Sequence, residues 1–254
     1  MKRTGLFFMA FYATASVAQV DSLVSNVYDW DALEVEKKET GERRQILEGS
    51  TTDLEYLEIH ATTVYPGKAP HSSHSHVDEE LVIIKEGKLR VTIGEQTRIL
   101  GPGSVAVAMS GDEHGWENAG DTPVTYYVFR YRSKALNVKR GRIAGDSFMV
   151  DWDDIEFKKS DIGGRRQNFD RATSMYERFE MHVSTLNEGL TNHQVHKHRA
   201  EEFVLILRGE VEMPVGDSTF KASRGDLIFL ASQMPHALNN TGNGQTEYFA
   251  FQWQ

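Results

Sequence analysis

Along most of the chain, apolar and polar residues alternate with a period of two. Leu89, Val91 and Ile93 stand two apart, as do Val105 and Val107 and then Tyr126, Val128 and Arg130, so every second side chain shares one face of a strand. Val82 and Ile84 interleave with Leu81 and Ile83 in the same way. No long stretch keeps a helical period. Turn residues interrupt these runs at short intervals, at Pro66-Gly67, Glu86-Gly87, Gly94-Glu95, Gly101-Pro102-Gly103 and Gly120-Asp121. The pattern predicts an all-β protein of antiparallel barrel or sandwich type rather than an alternating α/β fold.

The pattern occurs twice. Asp29-Trp30-Asp31 returns as Asp151-Trp152-Asp153, Gly41-x-Arg43-Arg44-Gln45 as Gly163-x-Arg165-Arg166-Gln167, and Gly87, Gly94 and Gly103 as Gly209, Gly216 and Gly225, all at an offset of 122 and without a gap. So long a period indicates a duplicated domain, not a solenoid repeat. The expected organisation is an N-terminal barrel over 19–132, a linker over 133–149 and a C-terminal barrel over 150–254. Residues 1–18 read as a signal segment: Lys2 and Arg3 precede an apolar run from Leu6 to Val17, with the small residues Ser16 and Ala18 before a cleavage point. Export to the periplasm or outside the cell is the corresponding expectation.

Composition narrows the chemistry. Of 254 residues none is cysteine, which excludes disulfides, zinc ribbons and thiol nucleophiles and leaves His, Asp and Glu to hold any metal. With 28 Lys+Arg against 37 Asp+Glu the formal charge is −9, and no basic stripe exists to follow a phosphate backbone. Nucleic acid is therefore not an expected partner, nor is a membrane once the signal segment is gone. A small-molecule substrate is expected, and further copies of the chain are compatible with the reading.

The candidate chemistry is also duplicated. His71, His74, His76, Glu80 and His114 return as His193, His196, His198, Glu202 and His236. His74 and His76 share a parity, and Glu80 keeps it, so all three can face one interior if the strand continues. His114 and His236 follow a glycine turn and a short apolar strand, by which a fourth ligand can return to the same place. Three neutral imidazoles and a carboxylate suit a divalent transition ion such as Mn, Fe, Co, Ni, Cu or Zn, up to two per chain.

These residues resemble the two signature stretches of the cupin superfamily, and two copies resemble a bicupin. The first stretch is His74-x-His76, Glu80, Gly87 and His196-x-His198, Glu202, Gly209; the second runs from Gly103 through His114 to Asn118 and from Gly225 through Pro235-His236 to Asn240. The leading spacer is one residue longer than the family's usual form, and Glu113 stands where the second copy has Pro235. The resemblance implies tandem jelly-roll-like barrels and metal sites at His74, His76, Glu80 and His114 and at His196, His198, Glu202 and His236. Its known activities include decarboxylation or oxidation of oxalate, dioxygen-dependent cleavage of flavonols and reactions of small sugars.

The expected function is therefore a metal-dependent enzyme acting on a small oxygenated molecule, a carboxylate, sugar or phenolic compound. The alternative is a non-catalytic module that binds a metal or small molecule. Glu79 and Glu201, next to the ligand glutamates, and His71 and His193, in the loops rimming the barrels, are candidate acid–base or proton-shuttle groups, although strand alternation turns each glutamate to the opposite face from its neighbour. Arg43-Arg44 and Arg165-Arg166 are expected to pair with Asp29, Asp31, Asp151 and Asp153, with a carboxylate-binding role for one of each pair as the alternative. His60 and His182, with Glu58 and Glu180, are expected on the outer face or between the domains. Trp116 against Leu238 and Arg130 against Gln252 are the differences that could separate the two sites.

Overall fold

The computed structural model describes residues 22–254; the expected signal segment lies outside them. The first repeat contributes β1 (Asn26–Tyr28), β2 (Glu36–Lys38), β3 (Gly41–Gly49), β4 (Leu54–Val64), β5 (Glu79–Glu86), β6 (Leu89–Ile93), β7 (Gln96–Leu100), β8 (Val105–Ala108), β9 (His114–Asn118) and β10 (Val124–Ser133). After helix α1 (Val138–Ala144), the second contributes β11 (Phe148–Val150), β12 (Phe157–Ser160), β13 (Gly163–Arg171), β14 (Phe179–Leu186), β15 (Glu201–Arg208), β16 (Glu210–Val215), β17 (Ser218–Ser223), β18 (Leu227–Leu230), β19 (Asn239–Asn240) and β20 (Thr246–Trp253). Each barrel is a seven-stranded antiparallel sheet closed by a three-stranded one, with orders β11-β8-β5-β10-β4-β3-β2 and β7-β6-β9 in the first and β1-β18-β15-β20-β14-β13-β12 and β17-β16-β19 in the second. The predicted all-β tandem barrels are present. Among the described residues no helix is long and apolar enough to cross a membrane.

The sheet orders reveal an exchange that the repeat does not announce. β1, from the first repeat, pairs with β18 of the second, and β11, which heads the second repeat, pairs with β8 of the first. The motif tryptophans travel with them. Trp30 lies against Gly225 and takes a hydrogen bond acceptor from the other repeat, its backbone N–H donating to Asp226 Oδ1 at 2.8 Å; Trp152 lies against Gly103 and donates to Ser104 Oγ at 3.0 Å. A side chain at Gly103 would collide with the indole and one at Gly225 would crowd it, and both glycines have positive φ, +83° and +98°. The expected linker 133–149 thus contains structure: α1, capped by the Asn137 side chain and ended at Gly145, and a strand of the first barrel's sheet.

Both faces of the central strands are buried. On β5, Leu81 and Ile83 point one way and Val82 and Ile84 the other; on β10, Tyr127 and Phe129 oppose Tyr126 and Val128. One set fills the barrel interior. The other meets its counterpart from the second repeat, including Phe179, Phe203, Phe249 and Phe251, in one continuous core where the two large sheets pack together. Phe129 sits edge-on to Phe203 and Phe251, with ring centroids 5.6 and 5.1 Å apart. The polar parity of β4 (Glu58, His60 and Thr62) is consequently left to face the first barrel's cavity.

Candidate metal centres

His74 and His76 do not lie on a regular strand. They occupy an extended segment ahead of β5 that is tied down by one bridge, in which the backbone N–H groups of His74 and His114 each donate to the other's carbonyl at 3.0 and 2.9 Å; His196 and His236 form the same bridge. This bridge brings the two distant signature stretches together. One ring nitrogen from each of His74, His76 and His114 lies within 4.8 Å of the others, and His196, His198 and His236 repeat the cluster. Glu80 Oε2 is 3.4 Å from His76 Nε2 and 3.8 Å from His114 Nε2; Glu202 Oε2 is 3.1 and 3.4 Å from His198 and His236 Nε2.

The imidazoles are held in a donor-ready orientation. Nδ1 of His76, His114, His198 and His236 donates to the backbone carbonyl of Asp78, Asp112, Ala200 and Met234 respectively at 2.8–2.9 Å, which turns Nε2 of each toward the cluster; His198 Nε2 there lies 3.1 Å from Glu202 Oε2. Nε2 of His76, His114 and His236 is buried without a hydrogen-bond partner, an arrangement that would be costly without a cation to accept the lone pair. The residues therefore fit a divalent transition ion. Burial together with the neighbouring imidazoles lowers the pKa of His74 and His196, and burial lowers that of His114; burial of His76 is outweighed by the Glu80 carboxylate, and the Glu202 carboxylate outweighs burial of His198, so these two are raised. Burial pushes the carboxyls of Glu80 and Glu202 up, but the histidine contacts outweigh it and hold both at about 2.

The two clusters differ in how the carboxylate is held. Trp116 Nε1 donates to Glu80 Oε1 at 2.8 Å, whereas its counterpart Leu238 offers no donor. Trp116→Phe should weaken metal affinity of the first site by about 10-fold and leave the second unchanged, as loss of an orienting hydrogen bond does at metal sites. A two-site metal titration measures it; equal effects on both sites, or none, would show that the indole does not orient Glu80.

Each cluster opens into a cavity, about 330 Å³ in the first barrel and about 420 Å³ in the second. His71 and His193 are at the rims as expected, edge-on to His74 and His196 with centroids 4.5 and 4.1 Å apart, and both line the cavities. Glu79 and Glu201 require correction as candidate acid–base groups. Alternation along the strand turns them away from the clusters and into the seam, where each binds the other repeat: Glu79 Oε1 accepts from Ser174 N–H at 2.7 Å, and Glu201 accepts from Thr51 Oγ1 at 2.5 Å and Thr52 N–H at 2.8 Å. Burial raises the Glu79 carboxyl to about 7. Neither glutamate lines a cavity with a cluster.

The expected placement of His60 and His182 also requires correction. The apolar parity of β4 and β14 is what packs between the repeats, so both histidines line the cavities. His60 Nδ1 is 2.8 Å from Glu58 Oε1 and His182 Nδ1 is 3.0 Å from Glu180 Oε1. Arg43 pairs with Glu58 at 2.5 Å and Arg165 with Glu180 at 2.8 Å, not with the aspartates, while Arg44 and Arg166 stack on Trp30 and Trp152 at 4.9 and 4.7 Å. Asp29 and Asp151 instead cap the turns that follow them. Arg130, on the first cavity's wall, is anchored with Arg132 on the buried Asp78; the corresponding positions of the second repeat are Gln252, Gln254 and Ala200. The signal for the Arg–Glu–His wall was present in the duplication itself, since all of its members recur at the offset of 122.

A family model described as "Cupin domain" matches residues 61–130 and 182–251. No curated protein matches the chain. Among solved structures, AerE from Microcystis aeruginosa superposes with a TM-score of 0.69 at 14% identity, covering 90% of this chain and 98% of its own. A mutant of Bacillus subtilis oxalate decarboxylase gives 0.68 at 15% identity, over 93% and 79%. The formate complex of Lactobacillus farciminis oxalate decarboxylase gives 0.68 at 12%, over 95% and 88%.

Proposed function

Because the chain belongs to the cupin family and is a bicupin with its ligand set present twice, we propose that it is a metal-dependent enzyme acting on a small carboxylate. The observation that carries the reading is the convergence of backbone-anchored imidazoles with a charged buried glutamate at the inner end of a cavity. The anionic character of the substrate is supported by basic side chains in the lining, Arg43 and Arg130 in the first cavity and Lys158 and Arg165 in the second. Oxalate decarboxylases share the fold, which makes carboxylate chemistry the first to test.

His74, His76, Glu80 and His114 would hold the ion in the first barrel and His196, His198, Glu202 and His236 in the second. A divalent ion bound there supplies Lewis acidity and a site for oxygen donors of the substrate. The chain's own part is to turn the imidazole Nε2 atoms toward the cluster through the Nδ1 bonds, to keep each glutamate ionised, and to draw a carboxylate inward with its guanidinium groups. His71 and His193, at the rims, are placed to exchange protons with a bound molecule.

Purified protein supplied with Mn²⁺, Fe²⁺, Co²⁺, Ni²⁺ or Zn²⁺ should take up two equivalents per chain, and with at least one of these ions should convert a small carboxylate, oxalate being tried first, as followed by NMR of substrate and product. Uptake without turnover of any carboxylate would favour a binding module over an enzyme. Absence of uptake would remove the metal reading altogether.

A further inference from the structure

We infer that Arg43 and Arg165 form a second anion-binding pole in each cavity, so that the preferred ligands are dicarboxylates long enough to reach from the imidazole cluster to the guanidinium. The inference rests on the metal-carboxylate reading and names the substrate class within it.

The sheet sets the separation of the two poles. The Arg43 guanidinium, reaching over from β3, sits on Glu58 of β4; Glu58 stands opposite Arg130 on β10, and Arg130 opposite Glu80 on β5. At ~4.8 Å per strand, the backbones of Glu58 and Glu80 are about 10 Å apart across one sheet face. Side chains from both ends line the same cavity of about 330 Å³. The second barrel repeats this layout, with the Arg165 guanidinium on Glu180, Glu180 opposite Gln252 on β20 and Gln252 opposite Glu202 on β15.

The guanidinium is fixed in advance. Glu58 and Glu180 are 6% and 3% exposed and accept from Arg43 and Arg165, while the Arg side chains keep 31% and 48% of their surface. The histidine and arginine contacts keep each glutamate ionised against burial. Arg43 uses only Nη2 on Glu58, and Arg165 uses only Nη2 on Glu180 and Gln167, so the remaining N–H donors of each planar fork are available to the cavity. A buried ion pair contributes little stability over an apolar pair, and this one is built twice at the far wall of a cavity whose inner end is the imidazole cluster. Oxalate, whose two carboxylates share one bond, is too short to touch both poles.

The test compares glutarate with butyrate on the Zn²⁺-loaded chain by isothermal titration calorimetry. The two probes share a four-carbon stretch and differ in the second carboxylate. Glutarate should bind at least ~10-fold more tightly, as a charge-assisted hydrogen bond provides. Arg43→Met with Arg165→Met should cost glutarate at least ~10-fold more than it costs butyrate, with Zn²⁺ stoichiometry unchanged. Arg43→Lys with Arg165→Lys, which keeps a cation beside each glutamate, should retain part of the glutarate advantage and serves if the Met variant does not fold. No glutarate advantage in the wild type, or equal losses for both probes in the variants, would overturn the second pole. A wild-type chain that takes up no Zn²⁺ overturns the underlying metal reading instead.

Discussion

Produced as separate polypeptides, residues 19–132 and 150–254 are each expected to lose the cooperative melt of the intact chain. The cut removes β11 from the first barrel and β1 from the second, together with the indole that covers Gly103 or Gly225. It also exposes the seam. Phe179, Phe203, Phe229, Phe249 and Phe251 are all essentially inaccessible in the intact chain. Truncating a single buried phenylalanine costs about 3–5 kcal/mol, against a net domain stability of about 5–15 kcal/mol, so uncovering several at once exceeds what either barrel has in reserve. Thermal unfolding by circular dichroism measures the effect. A fragment spanning 33–152, which keeps β11 with the sheet it belongs to, should recover more of the native signal than 19–132. Equal behaviour of those two fragments would show that strand exchange adds nothing, and a native-like melt from either repeat alone would show that the seam is dispensable.

The exchange illustrates where sequence reading stops. Val27-Tyr28 and Met149-Val150 are short, apolar and flanked by the same Asp-Trp-Asp motif, so local pattern gives each leading strand no preference between the two barrels. The choice is made by tertiary packing of the tryptophans, which is not a periodic signal. The clusters were easier to read, because their chemistry recurs at a fixed offset, although it is the single bridge to His114, and not a continuous strand with one parity, that brings His74, His76 and Glu80 together. Glu58 and His60 show the limit of parity. Alternation separates them correctly from Leu57 and Ile59, but it cannot say which face is inward when one face lines a cavity and the other packs against a second sheet. Ordinarily the apolar face marks the interior; here it marks the boundary between the two repeats.

The largest functional effect is expected from the ligand imidazoles. His76→Ala should remove one metal equivalent and leave the other, His198→Ala should do the converse, and the double variant should hold none. Partners that only orient a metal ligand change affinity by ~10–100-fold, and loss of a ligand itself should exceed that. The substitutions also leave Glu80 or Glu202 with one fewer cationic or hydrogen-bonding neighbour, so the carboxyl pKa should rise from about 2 and further weaken the site at mildly acidic pH. Folding should survive, because His76 and His198 sit in the extended segments before β5 and β15 rather than in the seam. Turnover then reports which barrel works. If both sites are catalytic, each single variant keeps part of the activity; if one site is structural, only one single variant does. The cavities differ enough to make the second outcome testable, with Arg130 and Trp116 in the first and Gln252 and Leu238 in the second. Full activity in the double variant, with its metal content shown to be zero, would sink the metal-dependent reading, whereas two retained equivalents would show that the ligand set is wrong.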